Sequence, residues 1–345
     1  MGLGGAHSRA VFFRCLATMF AAGVPLDRCL ALLVEQTPQE SLRLATQDVA
    51  ARVWAGSTLS EAMKRQPEFS AVQCQLIQVG ESSGALAAVF ARLAGDEERS
   101  IQFQEKVRMS LAAPLWIGSL CLLLAAFLPP FLFRGLLEMF RQSNTELPWA
   151  TQVLMLISDF VRSPWSLLIS TLLLAFLTCS RGHIRRAVAS STFQELLLAL
   201  PGLGRVILMV SLTRFLHALE TLCVAGVSLL ESLELAAAAS HNSILHSRVQ
   251  TAVQEIRAGG DLRLSLQTVG LFPSAFLQGI QTGLESGHMP QMVASLSRLY
   301  EIELDHALEV LTRACEPVFL VLVGGLVGFS VIATMQPLAE LVRTF

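Results

Sequence analysis

The sequence predicts an all-α membrane protein built from a duplicated helical unit. Three observations carry this. One octapeptide is written twice, three uncharged apolar runs approach or match the thickness of a bilayer, and no period-two alternation is long enough to suggest a sheet. The first octapeptide reads Ile77-Gln78-Val79-Gly80-Glu81-Ser82-Ser83-Gly84. The second reads Ile280-Gln281-Thr282-Gly283-Leu284-Glu285-Ser286-Gly287, and the shift between them is 283 − 80 = 203. The same shift carries Gly23-Val24 onto Gly226-Val227, Phe69 onto Phe272 and Pro114 onto Pro317. Each copy therefore runs from a glycine turn, through the octapeptide, to a proline that opens an uncharged run. The expected unit is a bundle of about six helices feeding into a membrane helix.

Composition agrees. Apolar residues make up 53% of the 345 and charged residues 15%, with mean hydropathy +0.56. A soluble domain carries about 25% charged residues, so part of this chain belongs in lipid. A net charge of −2 leaves no electrostatic footprint for nucleic acid. Seven cysteines without a CxxC pair read as small apolar packers rather than zinc ligands or a disulfide framework. The apolar patch 11–24 contains Arg14 and ends in a glycine turn, which reads as a core helix and not as a signal peptide.

In chain order, residues 1–7 are expected to fray, and a first helix spans 8–22 with Gly23 as its C′ residue. A second covers 25–35. Thr37-Pro38-Gln39-Glu40 has the form of a start signal, with Thr37 as cap, Pro38 at N1 and Glu40 closing a capping box. Thr58-Leu59-Ser60-Glu61 and Ser228-Leu229-Leu230-Glu231 have the same form. Cap-competent Ser240 and Asp261 fall one repeat beyond Thr37 and Thr58. Helices over 69–79 and 86–110 complete the first unit.

The uncharged runs are Leu115 to Phe133 and Pro317 to Met335, with Trp165 to Ser180 a little shorter. About 20 residues span a bilayer core, a length that the first two closely approach. Between Phe133 and Trp165, an apolar stripe of Val153, Leu156, Ile157, Phe160 and Val161 suggests an interfacial helix. Arg92, Arg99, Lys106 and Arg108 precede the first span, and Arg181, Arg185, Arg186 and Arg205 follow the second. The loop between holds Arg134, Arg141 and Arg162, so both helical domains are expected in the cytoplasm. The expected organisation is a cytoplasmic domain over 1–110, a span over 111–133, an outer loop over 134–163 and a second span over 164–180. A second cytoplasmic domain over 181–314, a third span over 315–337 and an outer tail over 338–345 follow.

Gly80-Glu81-Ser82-Ser83-Gly84 matches the nucleophile-elbow pattern, which needs a strand before the serine and a helix after it. Here helical pattern flanks both sides, and the second copy has Glu285 at the serine position. The better reading is a helix corner in which the glycines permit a tight backbone, Ser82 or Ser83 caps the next helix, and Glu81 sits near its positive end. A hydrolase using Ser82 and a small-solute permease remain as alternatives; Ser82→Ala separates the first. The permease is disfavoured because the three apolar runs, Leu115 to Phe133, Trp165 to Ser180 and Pro317 to Met335, contain no Asp, Glu, Lys, Arg or His. No nucleotide loop or HExxH pattern is present, and no cofactor or metal is expected. Gly324-x-x-x-Gly328 in the last span allows close helix approach, within the chain or in an oligomer. Glu316 precedes Pro317 at the membrane edge.

These pieces in this order resemble the type II secretion system F / type IV pilus PilC family of inner-membrane platform proteins. The resemblance rests on Arg14 to Thr18 running through Gly23-Val24-Pro25-Leu26, on Val79 to Leu86, on Leu200 to Gly204, on Arg214-Phe215 through Gly226 to Leu229, and on Glu316-Pro317 through Pro337-Leu338. It implies a non-enzymatic protein whose two cytoplasmic bundles engage a hexameric assembly ATPase and other inner-membrane components, and which helps pilins or pseudopilins leave the membrane. A homo-oligomer is expected. Members often carry a longer N-terminal arm, so an ATPase contact made through such an arm is expected to be missing or relocated here. The family's acidic residue after the first corner glycine is Glu81 in copy one and Leu284 in copy two, with Glu285 beside it. The corner residues Gly80, Glu81, Gly84, Gly283, Glu285 and Gly287 are expected to be structurally essential, and Pro114 and Pro317 to transmit motion.

Overall fold

The computed structural model describes residues 3–132 and 203–344. The expected outer loop over 134–163, the second span over 164–180 and the first part of the second cytoplasmic domain lie outside the described residues. Among those described there are α-helices and no strand. The first repeat holds α1 (Leu3–Ala21), α2 (Leu26–Gln36), α3 (Glu40–Trp54), α4 (Leu59–Lys64), α5 (Ala71–Ser83) and α6 (Leu86–Leu132). The second holds α7 (Leu203–Val224), α8 (Leu229–Ala239), α9 (Ser243–Arg257), α10 (Leu262–Thr268), α11 (Ser274–Ser286) and α12 (Met289–Thr344). The shift that relates the octapeptides also superimposes both ends of α2 on α8, of α3 on α9 and of α5 on α11. Left-handed glycines recur with it: Gly23 and Gly226 at φ 83° and 82°, Gly56 and Gly259 at 92° and 97°, Gly84 and Gly287 at 68° and 72°.

The local reasons differ in places from those expected. Helix α1 starts at Leu3 instead of residue 8, because Ala6 and Ala10 already lie buried in the packed face. Thr37 does not cap α3. It ends α2, where its hydroxyl donates to the Leu33 carbonyl at 2.6 Å, and α3 begins at Glu40 with Gln39 as an N-cap that makes no side-chain bond. Its counterpart Ser240 likewise donates back, to the Ala237 carbonyl, and Asn242 caps α9 by accepting from the Ile244 and Leu245 amides. Ser228 makes no side-chain cap. Thr58 and Asp261 do cap α4 and α10, accepting from the Glu61 and Leu264 amides. A further capping box, Ser70 with Gln73, opens α5; its S-x-x-Q spacing is the sequence signal for it.

The chain divides into two compact units, Met1–Arg108 with Ala189–Ala307, and Met109–Val188 with Leu308–Phe345. In the first unit, both repeats bury matching apolar positions: Phe12 and Phe215, Leu16 and Leu219, Leu30 and Leu233, Ile77 and Ile280. Each core carries an aromatic cluster, Phe12–Phe13–Phe69 in one and Phe215–Phe272–Phe276 in the other. Burying a side chain of this size contributes roughly 1.5–3 kcal/mol. The two cores meet, since Leu222 and Val227 are buried within the cluster of the first repeat.

Among the described residues two segments are long and apolar enough to cross a membrane, Gly204–Val224 in α7 and Met289–Phe329 in α12. The most apolar stretch of α7 is 61% buried inside the bundle. It is a core helix, apolar on several sides because it packs against both repeats. In the second unit, α12 exposes Leu320, Val321, Ile332 and Met335, the surface a lipid-facing helix presents. Helices α6 and α12 run unbroken through Pro114 and through Glu316-Pro317. Gly324 and Gly328 have nothing within 4 Å of an added Cβ among the described residues.

Candidate assembly site at the corners and between the repeats

The first corner is built by α4, α5 and α6. Gly84 ends α5 in the left-handed region, and the Ala85 amide closes the turn on the Gly80 carbonyl at 2.9 Å. A Cβ on Gly80 would lie 2.8 Å from Cγ2 of Val89, so glycine is what lets α6 come this close. Ser82 and Ser83 do not cap α6; both hydroxyls donate to the Val79 carbonyl inside α5. Nor does Glu81 face α6. Its carboxylate sits on the N-terminus of α4, accepting from the Leu59 amide at 2.6 Å, the Ser60 amide at 3.3 Å and the Ser60 hydroxyl at 2.5 Å. The pull of the helix dipole is the one expected, exerted by another helix.

At the second corner Gly283 again sits where the next helix comes close and Gly287 ends α11 at φ 72°, but here the Gly287 amide closes on the Leu284 carbonyl at 3.4 Å. The carboxylate does not recur. Leu284 stands at the Glu81 position and is 57% exposed, while Glu285 accepts from Gln281 on its own helix at 2.8 Å. Gln281 also accepts from Arg263 at 2.8 Å, as Gln78 does from Lys64 at 2.7 Å in the first corner. The tie between α10 and α11 through glutamine is kept and the carboxylate cap of the short helix is lost. The acidic contact is thus absent from the second corner, not moved to Glu285.

Sequence reasoning missed the junction between the repeats. Along one stripe of α6, Asp96, Arg99, Phe103 and Lys106 all reach the second repeat. Asp96 accepts from Thr221 at 3.1 Å, and Arg99 lies 3.3 Å from Glu220 and 2.8 Å from Glu301. Phe103 packs edge-on to His217 and under the guanidinium of Arg214, and Lys106 pairs with Asp305 at 2.6 Å. His217 also touches Glu301 at 2.6 Å. Burial raises Asp96 above the ordinary carboxylate range against the pull of Arg92 and Thr221; burial and then Arg99 lower His217. In the sequence, Arg99 and Lys106 stand out only as charges flanking a membrane span. The 3–4 spacing of the stripe is visible there, but its partners lie far along the chain. The buried thiols Cys74 and Cys223 are pushed up to about 11 by burial, as expected of inert packers.

No three metal-ligating side chains come together among the described residues. The arrangement packs two copies of a bundle against each other and presents two chemically different corners. Comparison with known proteins places it. The family described as Type II secretion system (T2SS), protein F matches the chain twice, over residues 12–133 and 215–337, with starting points related by the same shift as the octapeptides. The type IV pilus assembly protein TapC of Aeromonas hydrophila is 30% identical over 96% of this chain and 81% of its own length. The type IV pilus assembly protein PilC of Thermus thermophilus is 30% identical over 99% and 84%, and the type II secretion system protein F of Pseudomonas aeruginosa is 29% identical over 97% and 83%. The chain is a member of the type II secretion system protein F family, an all-helical membrane protein that carries the family's repeated region in two copies.

Proposed function

We propose that this chain is the inner-membrane platform of a type II secretion or type IV pilus assembly machine. In this reading it has no catalytic role and couples a hexameric assembly ATPase to polymerisation of pilins or pseudopilins. The observation that carries it is the double family match in one register, joined to relatives named for both machines. Both helical domains, over 1–110 and 181–314, would lie in the cytoplasm with spans over 111–133, 164–180 and 315–337, the arrangement favoured by the arginine distribution. In this reading the corner residues Gly80, Glu81, Gly84, Gly283, Glu285 and Gly287 keep the bundles in shape, and Pro114 and Pro317, at the junctions with the long helices, would transmit motion.

The test is co-purification of the detergent-solubilised full-length chain with the assembly ATPase of the same cell. Stable association that survives washing is expected; pilin assembly that needs this chain while the ATPase never associates with it would move the coupling to another membrane component. Orientation is checked separately. A cysteine introduced near Glu146 should label from outside intact spheroplasts and one near Arg185 should not, and the reverse pattern would overturn the topology.

A further inference from the structure

Helices α8 and α9 leave a groove of about 340 Å³ on the second repeat, lined by Glu234 and Ala237 from α8 and by His246, Gln250, Gln254 and Arg257 from α9. Ala237, small and 1% exposed, gives the groove its depth. Arg257 donates to Glu234 at 2.9 Å, which ties the two walls together and cancels their charge. Gln250 and Gln254 are exposed, and neither side-chain amide has a partner among the described residues. The first repeat does not build this lining on its matching pair of helices. Glu234 and Arg257 become Ala31 and Trp54 there, and Gln254 becomes Ala51, so the ion pair and one amide are gone and Trp54 is left 73% exposed. The bundle therefore folds without the polar lining, and the lining is free to serve something else.

We propose that this groove binds a segment of a partner protein in extended conformation, with the amides of Gln250 and Gln254 pairing to its main chain. A glutamine amide both donates and accepts, which is what one edge of an extended chain asks of its neighbour. The two glutamines stand at i and i+4, a rise of about 6.0 Å along α9. Two residues of extended chain cover about 6.6 Å, so both amides meet the same edge on successive repeats. From His246 to Arg257 the wall runs about 16 Å, the length of about five extended residues. Two other occupants fit less well. A partner helix has already spent its main-chain groups internally and needs an apolar seam, which this wall of α9 lacks. An anion would find Arg257 already neutralised by Glu234. Because recognition falls on the main chain, the side chains of the bound segment are free to vary. Nothing in this depends on the secretion role.

Saturation-transfer NMR on the detergent-solubilised full-length chain tests it. The probe is an acetylated, amidated peptide of alternating serine and threonine, about eight residues long, uncharged and inclined to extend. Saturable transfer to it is expected above that from empty micelles, and a probe of alternating threonine and glutamine should bind about as well. A probe N-methylated at every residue should bind at least about tenfold more weakly, since its donors are gone. Gln250→Ala with Gln254→Ala should weaken binding by a similar factor; alanine is the strongest helix former, so α9 is kept, and an unchanged melting midpoint checks this. Gln47→Ala on α3 should change nothing. No transfer above the micelle background overturns the proposal, as does affinity untouched by the two alanines or by N-methylation. Loss of binding in Gln47→Ala would place the site on the other repeat, and a strong preference between the two unmethylated probes would place recognition on side chains; either overturns it too.

Discussion

Where α1, α5 and α6 meet in the first repeat, Arg9, Gln73 and Glu97 share one interior position. Glu97 accepts from Gln73 at 2.5 Å and lies 3.5 Å from Arg9, with both charged side chains only 11% exposed. In the second repeat the same three positions are Leu212, Phe276 and Tyr300, all buried, and Phe276 stacks on Phe272 at 4.2 Å. One backbone arrangement thus accepts a charged triad in one copy and an aromatic filling in the other. Helix placement follows from the turn glycines the copies share and the common cap position at Thr58 and Asp261, and leaves the interior chemistry free to diverge. Burial lifts Glu97 above the ordinary carboxylate range in spite of Arg9 and Gln73, so desolvation outweighs the attraction.

The largest expected effect follows. Arg9→Ala strands a buried carboxylate, and breaking such a pair costs about 3–5 kcal/mol. Replacing the whole triad with its counterpart, Arg9→Leu, Gln73→Phe and Glu97→Tyr, should come within about 2 kcal/mol of the parent, since no charge is then left alone. Protease susceptibility of α1 in the solubilised protein reads both. If the single variant were as resistant as the parent, the triad would be incidental to the first bundle.

The corners give the next contrast. Glu81→Ala removes a carboxylate that accepts three hydrogen bonds at the start of α4, and bonds to charged groups contribute roughly 1.5–3 kcal/mol. Leu284→Ala at the matching exposed site should cost no more than about 0.5 kcal/mol. Leu284→Glu should stabilise α10 by about 0.3–1 kcal/mol if the second corner can accept the cap. Denaturant midpoints for the three variants decide whether the corners are structurally equivalent or only alike in sequence.

What is legible in the sequence is what is local and repeated. The glycine turns at Gly23 and Gly226, the shared core positions and the six-helix count per repeat are readable, because each depends on neighbours within a turn or on the constant shift between the copies. Thr37 has the look of a cap because a threonine can donate backward to a carbonyl as readily as accept forward from an amide. Glu81 is marked out by its corner, but the helix it caps is not, since its partners Leu59 and Ser60 lie 22 and 21 residues back. The junction stripe is illegible for the same reason at greater range: Arg99 and Glu301 are 202 residues apart, and no spacing rule reaches that far.

The corner glycines offer a smaller contrast. Gly80→Ala drives a Cβ to 2.8 Å from a methyl of Val89, a β-branched side chain that can hardly turn away. A cost of about 1–3 kcal/mol is expected from such overpacking. Gly283→Ala meets the Met289 sulfur and the Met292 Cβ at 3.1 Å and the Met289 Cα at 3.3 Å; the sulfur can swing away, and the other two need only a few tenths of an ångström. The second variant should melt nearer the parent than the first; the opposite order would show that α11 and α12 are the more tightly packed pair.

The subtlest difference depends on pH. In the first repeat, α1 is tied to α6 by Arg14 and Glu98; in the second the equivalent pair is His217 and Glu301. Arginine stays charged at any physiological pH, but histidine does not. His217 faces Arg99 from α6, Glu301 from α12, and Glu220 and Arg214 on its own helix. Burial, and next Arg99, place its folded value below the ordinary histidine range. The folded state therefore binds a proton less readily than the unfolded chain, so the contribution is complete above the ordinary histidine value and is lost as pH falls through it toward the lowered one. Mild acid should loosen α7 and α12 while α1 keeps its hold on α6. His217→Gln should flatten that part of the acid dependence, read as protease cleavage near α7 at pH 7.5 and 5.5 against a cleavage-rate control. An unchanged acid response in the glutamine variant would shift the sensitivity away from His217. It could not pass to Asp96 and Glu97, whose raised values act with the opposite sign and stabilise the fold as pH falls.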